Sequence, residues 1–329
     1  PLVSGIQVKG KDRFQQLSGP LSLALFVLLR GSDSTLLKWL QLRGASIAMD
    51  EGIEVISFCN VFFFSTLVSG VGLVLLDRRT SCERLKVLTV QEKQLLAWQT
   101  VLGFFLAPVA YYLALESLSV VQQTLVFSLT VPASALLASW SLGERLPRTF
   151  PLSVGLIMVG LLVAAAANGS AMFEGGGLSL SGVAWALVGV VAFAFSGLSA
   201  RRIQQHGLPP GLSVGLCSLV ASIAFAVIAL ALYGPSHFMD LSRWWVLGMI
   251  GGYACLITLG SQWTLARAYG SLGVVTVTFW ATLTLVVSLI AAHWVLAEPL
   301  GWPQGLAAAL IVIAVLIQQV SSRRRIGAG

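Results

Sequence analysis

"WSLGERL" at residues 140–146 and "WVLAEPL" at residues 294–300 set the same frame, Trp-x-Leu-x-Glu-x-Leu, twice in a chain of 329 residues. Sliding the chain by 154 positions lays 114–152 on 268–306 without a gap, and fifteen of those 39 positions are identical. Among them are Ser117/Ser271, Val120/Val274, Val121/Val275, Thr124/Thr278, Thr130/Thr284, Ser134/Ser288, Trp140/Trp294 and Glu144/Glu298. Composition alone yields roughly one match in ten, so this is an internal repeat.

The repeated unit belongs in a bilayer. Hydrophobic residues make up 57% of the chain and charged residues 10%, against about 25% charged in a soluble domain. Nine apolar runs have the length of a spanning helix: 53–76, 95–115, 119–140, 151–167, 180–200, 211–233, 244–266, 274–296 and 303–320. A spanning helix satisfies its own backbone groups, which lipid cannot. A tenth run, 19–40, is weaker, because "PLSLALFVLL" is short and soon meets Arg30 and Asp33. By itself it reads equally as a re-entrant segment or a signal-peptide core. The first residue is Pro1, so a fragment or processed form is expected.

Charge decides for ten. Lys and Arg stay on the cytoplasmic side of membrane helices. With ten spans and both termini inside, sixteen basic residues lie inside and only Lys38, Arg43 and Arg243 outside, Arg30 being within a span. Without the first span, the N-terminal tail and its Lys9, Lys11 and Arg13 move outside. The net charge of +7 is thus an orientation signal, and no nucleic-acid partner is implied. The two motifs fall at the ends of the fourth and ninth spans, five apart, and a five-helix unit repeated once enters the membrane the opposite way. The expected fold is therefore an all-α integral membrane protein of ten transmembrane helices, arranged as two inverted five-helix repeats. Its parts are a cytoplasmic tail 1–18, repeats 19–167 and 180–320, an external linker 168–179 and a basic cytoplasmic tail 321–329. Inverted repeats are an architecture of secondary transporters, with a site near the midplane and alternating access.

Each unit ends its fourth helix with a Gly/Ala-Glu pair, "LGERLP" and "LAEPLG", followed by a Gly-containing fifth helix, "SVGLIMVGLLV" and "PQGLAAALIVIAVLI". These features resemble the EamA-type drug/metabolite transporter superfamily. The stretches running from "LLAWQTVLGFF" to "SWSLGE" and "GSQWTLARAY" look most similar to the G branch of solute-carrier family 35. The resemblance implies a transporter built from two five-helix units and covers most of 20–320. It is poor in the first helix, and the second carries Asn60 in "ISFCNVFFF" where many members have a basic residue.

Candidate site residues are ionisable or polar groups inside the membrane, which are costly there and face cavities. Arg30 and Asp33, three apart, share a helix face and can pair; a short first helix would leave them in a wet loop instead. Arg267 reads either as a snorkelling anchor or as an anion ligand beside Gln262, Trp263 and Tyr269. The fourth and ninth spans carry Gln122, Gln123, Thr124, Ser128, Thr130 and Ser134 against Thr276, Thr278, Thr282, Thr284 and Ser288, as packing devices or cavity lining, with Pro132 interrupting the fourth span's ladder. Tyr111, Tyr112 and Trp280 are candidate aromatic walls, and Gly248 and Gly252 are spaced for close helix contact. The repeated motif residues Trp140, Glu144, Trp294 and Glu298 are structural candidates. Each Glu precedes a proline and the next span, which suits a cap on that following helix; the alternative is a role in coupling.

Scattered His and Cys lack metal-ligand or disulfide spacing, and no phosphate loop or nucleophile motif is present. No cofactor and no enzymatic activity are expected, and 77–94 reads as a short charged linker. The leading expectation is a secondary transporter of a small polar metabolite, an organic anion, an amino acid-like solute or a nucleotide-linked sugar. Its partners are that substrate and the lipid bilayer, with a homodimer left open. The alternative is a non-transporting scaffold or receptor that retains the fold, which a core filled by Leu, Val and Phe would favour over a continuous polar cavity.

Overall fold

The computed structural model describes residues 7–51, 56–142, 146, 148–167, 179–239, 243–272, 277 and 280–326. They form helices α1 (Gln7–Glu51), α2 (Phe58–Leu76), α3 (Arg78–Leu85), α4 (Val90–Ser117), α5 (Val120–Phe127), α6 (Thr130–Leu142), α7 (Phe150–Ala167) and α8 (Leu180–Gln205). The rest are α9 (Gly211–Tyr233), α10 (Ser236–Met239), α11 (244–272), α12 (Leu283–Leu296) and α13 (Trp302–Ile326). No strand occurs among the described residues. Seven helical stretches are long and apolar enough to cross a membrane, Gly19–Asp50 among them, and α7, α12 and α13 carry shorter apolar segments. Their outward faces are apolar: on α9, Ile223, Val227 and Leu230 are 63%, 60% and 47% exposed. Such a surface suits lipid and would aggregate in water.

Three expectations change. The first helix is neither short nor re-entrant: it is continuous from Gln7 to Glu51, so the wet-loop placement of Arg30 and Asp33 is excluded and the tail's described part, 7–18, is helical. The segment 77–94 is not a plain linker. It folds into α3 and the start of α4, where Thr89 and Glu92 make a reciprocal capping box (2.9 and 3.3 Å). Glu92 is buried and accepts from Arg84 at 2.6 Å, while Asp77 accepts from the Gly211 backbone at 3.2 Å. These bonds pull the segment onto the α8–α9 turn. Gly248 and Gly252 make no close helix contact, since a Cβ at either would meet no described atom within 4 Å.

Three helices widen into π-type turns, Thr100–Leu106 in α4, Gly211–Leu216 in α9 and Tyr253–Leu259 in α11. In α4 the cause is Pro108, which lacks the N–H that would bond Phe104. Pro132 acts similarly between α5 and α6. The Ser128 carbonyl, deprived of its α partner, accepts from Val131 N at 3.2 Å. The Thr282 carbonyl accepts from Leu285 N at 3.1 Å, the same bond moved by the repeat offset.

α1 packs on α11 and α12, α8 on α4, α5 and α6, α2 on α9, and α7 on α13. Two close approaches correspond: a Cβ on Gly19 would lie 2.6 Å from Ser271 Oγ, and one on Gly182 3.0 Å from Ser117 Cβ. Ser117 and Ser271 are repeat partners. Val61, Phe62, Leu115, Phe225 and Ile250 anchor the largest apolar cluster between α2, α4, α9 and α11.

Candidate functional site

One face of α1 is polar through the depth of the bundle. Arg30, Asp33, Ser34, Lys38 and Gln41 recur at helical spacing, and the eleven steps from first to last span roughly 16 Å of axis. At the lower end of this ladder Arg30 Nη1 donates to Asp33 Oδ2. The Tyr253 hydroxyl, from the first residue of the π-turn in α11, donates to Asp33 Oδ1 at 2.6 Å. Both carboxylate oxygens are thus engaged and the charge is paired, which a carboxylate at this depth requires. Arg30 is different. It lies in the fields of Tyr111 from α4 and Tyr253 from α11, yet its side chain is 46% accessible while Asp33 is 14% accessible. A guanidinium carries five donors in a planar fork, so donors beyond the Asp33 bond are left accessible.

One turn on, the Ser288 hydroxyl bridges Ser34 (2.8 Å) and Thr124 (3.0 Å), joining α12, α1 and α5. Tyr111 lies beside Ser34 and packs edge-on against Phe127 and Phe193, ring centroids 4.7 and 6.4 Å away. This aromatic group walls the site on the α4–α8 side. Higher still, Lys38 donates to the carbonyls of Leu115 and Leu118 and Gln41 Nε2 to that of Tyr112 at 2.9 Å. A cavity of about 260 Å³ opens there, bounded by Lys38, Gln41, Ser57, Tyr112, Glu116 and Tyr233. It lies toward the Lys38 end of the ladder, away from the Arg30 pair, and forms a vestibule at that end.

The structure therefore brings Arg30 and Asp33 together, with Tyr111, Thr124 and Ser288 close by, and gives several other candidates different tasks. Gln122 is committed to a helix cap: its Oε1 accepts from Ser119 N at 3.0 Å, and Ser119 Oγ accepts from Gln122 N at 3.1 Å. Gln123 is fully buried and donates to the Tyr111 carbonyl at 3.0 Å. Tyr112 turns away from Arg30, packing on Phe58 and Phe62 and lining the vestibule. Arg267 stacks 5.3 Å from the Trp263 ring, with Trp263 45% exposed. That cation–π pair lies at the other end of α11, fourteen residues or roughly 21 Å from Tyr253. Trp280 is half-exposed; Thr278 and Glu144 lie outside the described residues. Trp140 and Trp294, 84% and 81% exposed, have the placement of interfacial anchors.

Glu298 caps a helix, but not the expected one. Its Oε1 accepts from Val120 N at 2.8 Å and its Oε2 from Val121 N at 3.0 Å, so it closes the N-terminus of α5 rather than that of α13. Nothing in the local sequence names that target, since the partners are 178 and 177 residues away. Tyr253, the other group missed, stands in "GGYACLITLG" without a local signal. Only the ladder on α1, read as a face needing partners, points to it.

The model of the EamA-like transporter family matches this chain twice, over 44–166 and 180–318. The uncharacterized transporter sll1164 of Synechocystis sp. is 24% identical over 323 residues, covering 94% of this chain and 88% of that protein. A chain solved by crystallography superposes with a TM-score of 0.50 at 17% identity, over 95% of this chain and 98% of that one. The last likeness bears on the fold alone.

Proposed function

The chain belongs to the EamA-like transporter family, and on that premise we propose that it is a secondary transporter carrying a small organic anion past Arg30 by alternating access. The observation that carries the reading is Arg30 itself: a guanidinium midway through a span, paired on one side with Asp33 and still 46% accessible. A planar fork with spare donors in a site of low dielectric is an anion receptor. The Tyr111–Phe127–Phe193 wall suits an anion with an apolar body. A sugar nucleotide brings at least two negative charges, for which one half-neutralised guanidinium is a poor match.

Ten spans in two inverted halves, with both termini cytoplasmic, form the frame of this proposal. The support is the pairing of helices. α1 against α11 and α12 corresponds to α8 against α4, α5 and α6 when the halves are exchanged, while α2–α9 and α7–α13 map onto themselves. The doubled family match points the same way.

The test is a thermal-shift comparison on purified protein with benzoate, phenylalanine and UDP-glucose, since a ligand of the native state raises its stability. Benzoate should shift the wild type, and Arg30→Lys, lacking the fork, should lose the shift while retaining its fold. Uptake of labelled benzoate into proteoliposomes should fall in parallel. An equal shift and equal uptake by Arg30→Gln would refute the assignment of Arg30.

A further inference from the structure

The N-terminus of α5 is capped twice, once from each half of the chain. Its own half supplies Ser119 and Gln122, whose reciprocal bonds cover the Ser119 and Gln122 amides. The other half supplies Glu298, whose two oxygens cover Val120 and Val121. On the opposite side of the same turn, Lys38 holds the carbonyls of Leu115 and Leu118 at the end of α4. An anion thus meets the positive end of one helix and a cation the negative end of the one before it. Lys38, α4 and α5 are all of the first half, so the turn stays formed when Glu298 leaves.

The segment bearing Glu298 is under tension. Ala297 ends α12 with φ 51° and ψ 30°, the left-handed conformation, and no other non-glycine residue has positive φ among the described residues. An L-residue there is strained and needs something to hold it. The Ala297 and Glu298 amides close the turn on the Ala292 carbonyl, and the His293 ring nitrogen to the Glu298 carbonyl (2.9 Å) and the Glu298 carboxylate to α5 add to the bonds that aim it.

From this arrangement we infer that Glu298 is a positioning residue of the transport cycle: a releasable latch that closes the seam between α5 and α12 at the Lys38 end and must let go for that end to open. The inference rests on the two-half reading above and needs no knowledge of the substrate. Release costs α5 its cross-half cap while leaving the Ser119–Gln122 cap in place, so the seam opens without unwinding the helix.

The experiment reads the seam directly. In a background with Cys59, Cys82, Cys217 and Cys255 replaced, Leu289→Cys on α12, 5% exposed and packed in one cluster with Val121 and Leu125, is labelled in nanodiscs by a charged methanethiosulfonate. Nanodiscs expose both ends, so orientation does not matter. Glu298→Gln, which keeps the shape but loses the charge and one acceptor, should raise the labelling rate about tenfold, as expected for one lost charge-assisted bond. Ile203→Cys, 1% exposed at the far end of the bundle, should label no faster. Unchanged labelling at Leu289→Cys overturns the latch, and so does a matching rise at Ile203→Cys, which would mean a generally loosened fold. Failure of the benzoate test with success here would remove the substrate assignment and leave the latch standing.

Discussion

Replacing Ala297 by Gly should stabilise the protein, in contrast to the penalty for glycine in a helix interior. Ala297 sits at φ 51° and ψ 30°, where an L-residue pays roughly 1–2 kcal/mol for the approach of Cβ to the following carbonyl. Glycine removes that cost but frees the unfolded chain by about 0.4–1 kcal/mol. The difference is a net gain of about 0.5–1 kcal/mol, a rise of roughly 2 °C in melting temperature for a chain of this size. Val at the same place, β-branched and intolerant of positive φ, should cost about 2 kcal/mol or more. The assay is thermal unfolding in one detergent followed by tryptophan fluorescence, with the order Gly above Ala above Val. A melting temperature for Ala297→Gly several degrees below wild type would refute the argument from backbone strain. The repeat already hints at the outcome, since the position matching Ala297 under the 154-residue offset is Gly143.

Two further predictions concern buried polar groups. Ser288→Ala removes the hydroxyl joining Ser34 and Thr124 and should cost about 0.6–1.7 kcal/mol, the scale of interhelical hydrogen bonds in membranes; a double-mutant cycle with Thr124→Ala should show coupling, and strict additivity would count against the bridge. Glu92→Ala leaves the Thr89 amide without its capping partner and Arg84 without its carboxylate, so the melting temperature should fall, and an unchanged melting temperature would contradict that account.

The sequence already carried the membrane class and the repeat, because both are written in long, regular patterns that neighbours do not alter. The first helix was the hard one, for a physical reason. Arg30, Asp33, Lys38 and Gln41 lower its apolar character, and they do so because α1 carries the polar ladder. Its weakness as a membrane segment and its proposed role at the site are one property. The pair Arg30–Asp33 was legible from helical spacing, whereas Tyr253 was not, because its hydroxyl reaches Asp33 across 220 residues. Glu298 was legible as a helix cap and not in its target, since a carboxylate at a chain turn satisfies whichever helix end tertiary packing delivers. Gln122 shows the converse: an amide in a membrane helix suggested a cavity, but the preceding Ser119 gives it the local pattern of a capping box.

The claim on which the account depends is that the polar face of α1 borders water inside the bundle. The direct measurement is a cysteine scan of residues 28–41 in the cysteine-free background, labelled in lipid nanodiscs with a small charged thiol reagent. The account predicts reactivity peaking at 30, 33, 34, 38 and 41 with a helical period of about 3.6 residues. It predicts slow labelling at 28, 32 and 39 on the other faces. Reactivity confined to 38 and 41, with 30, 33 and 34 inert, would mean that the vestibule ends above Arg30 and that no path reaches the pair.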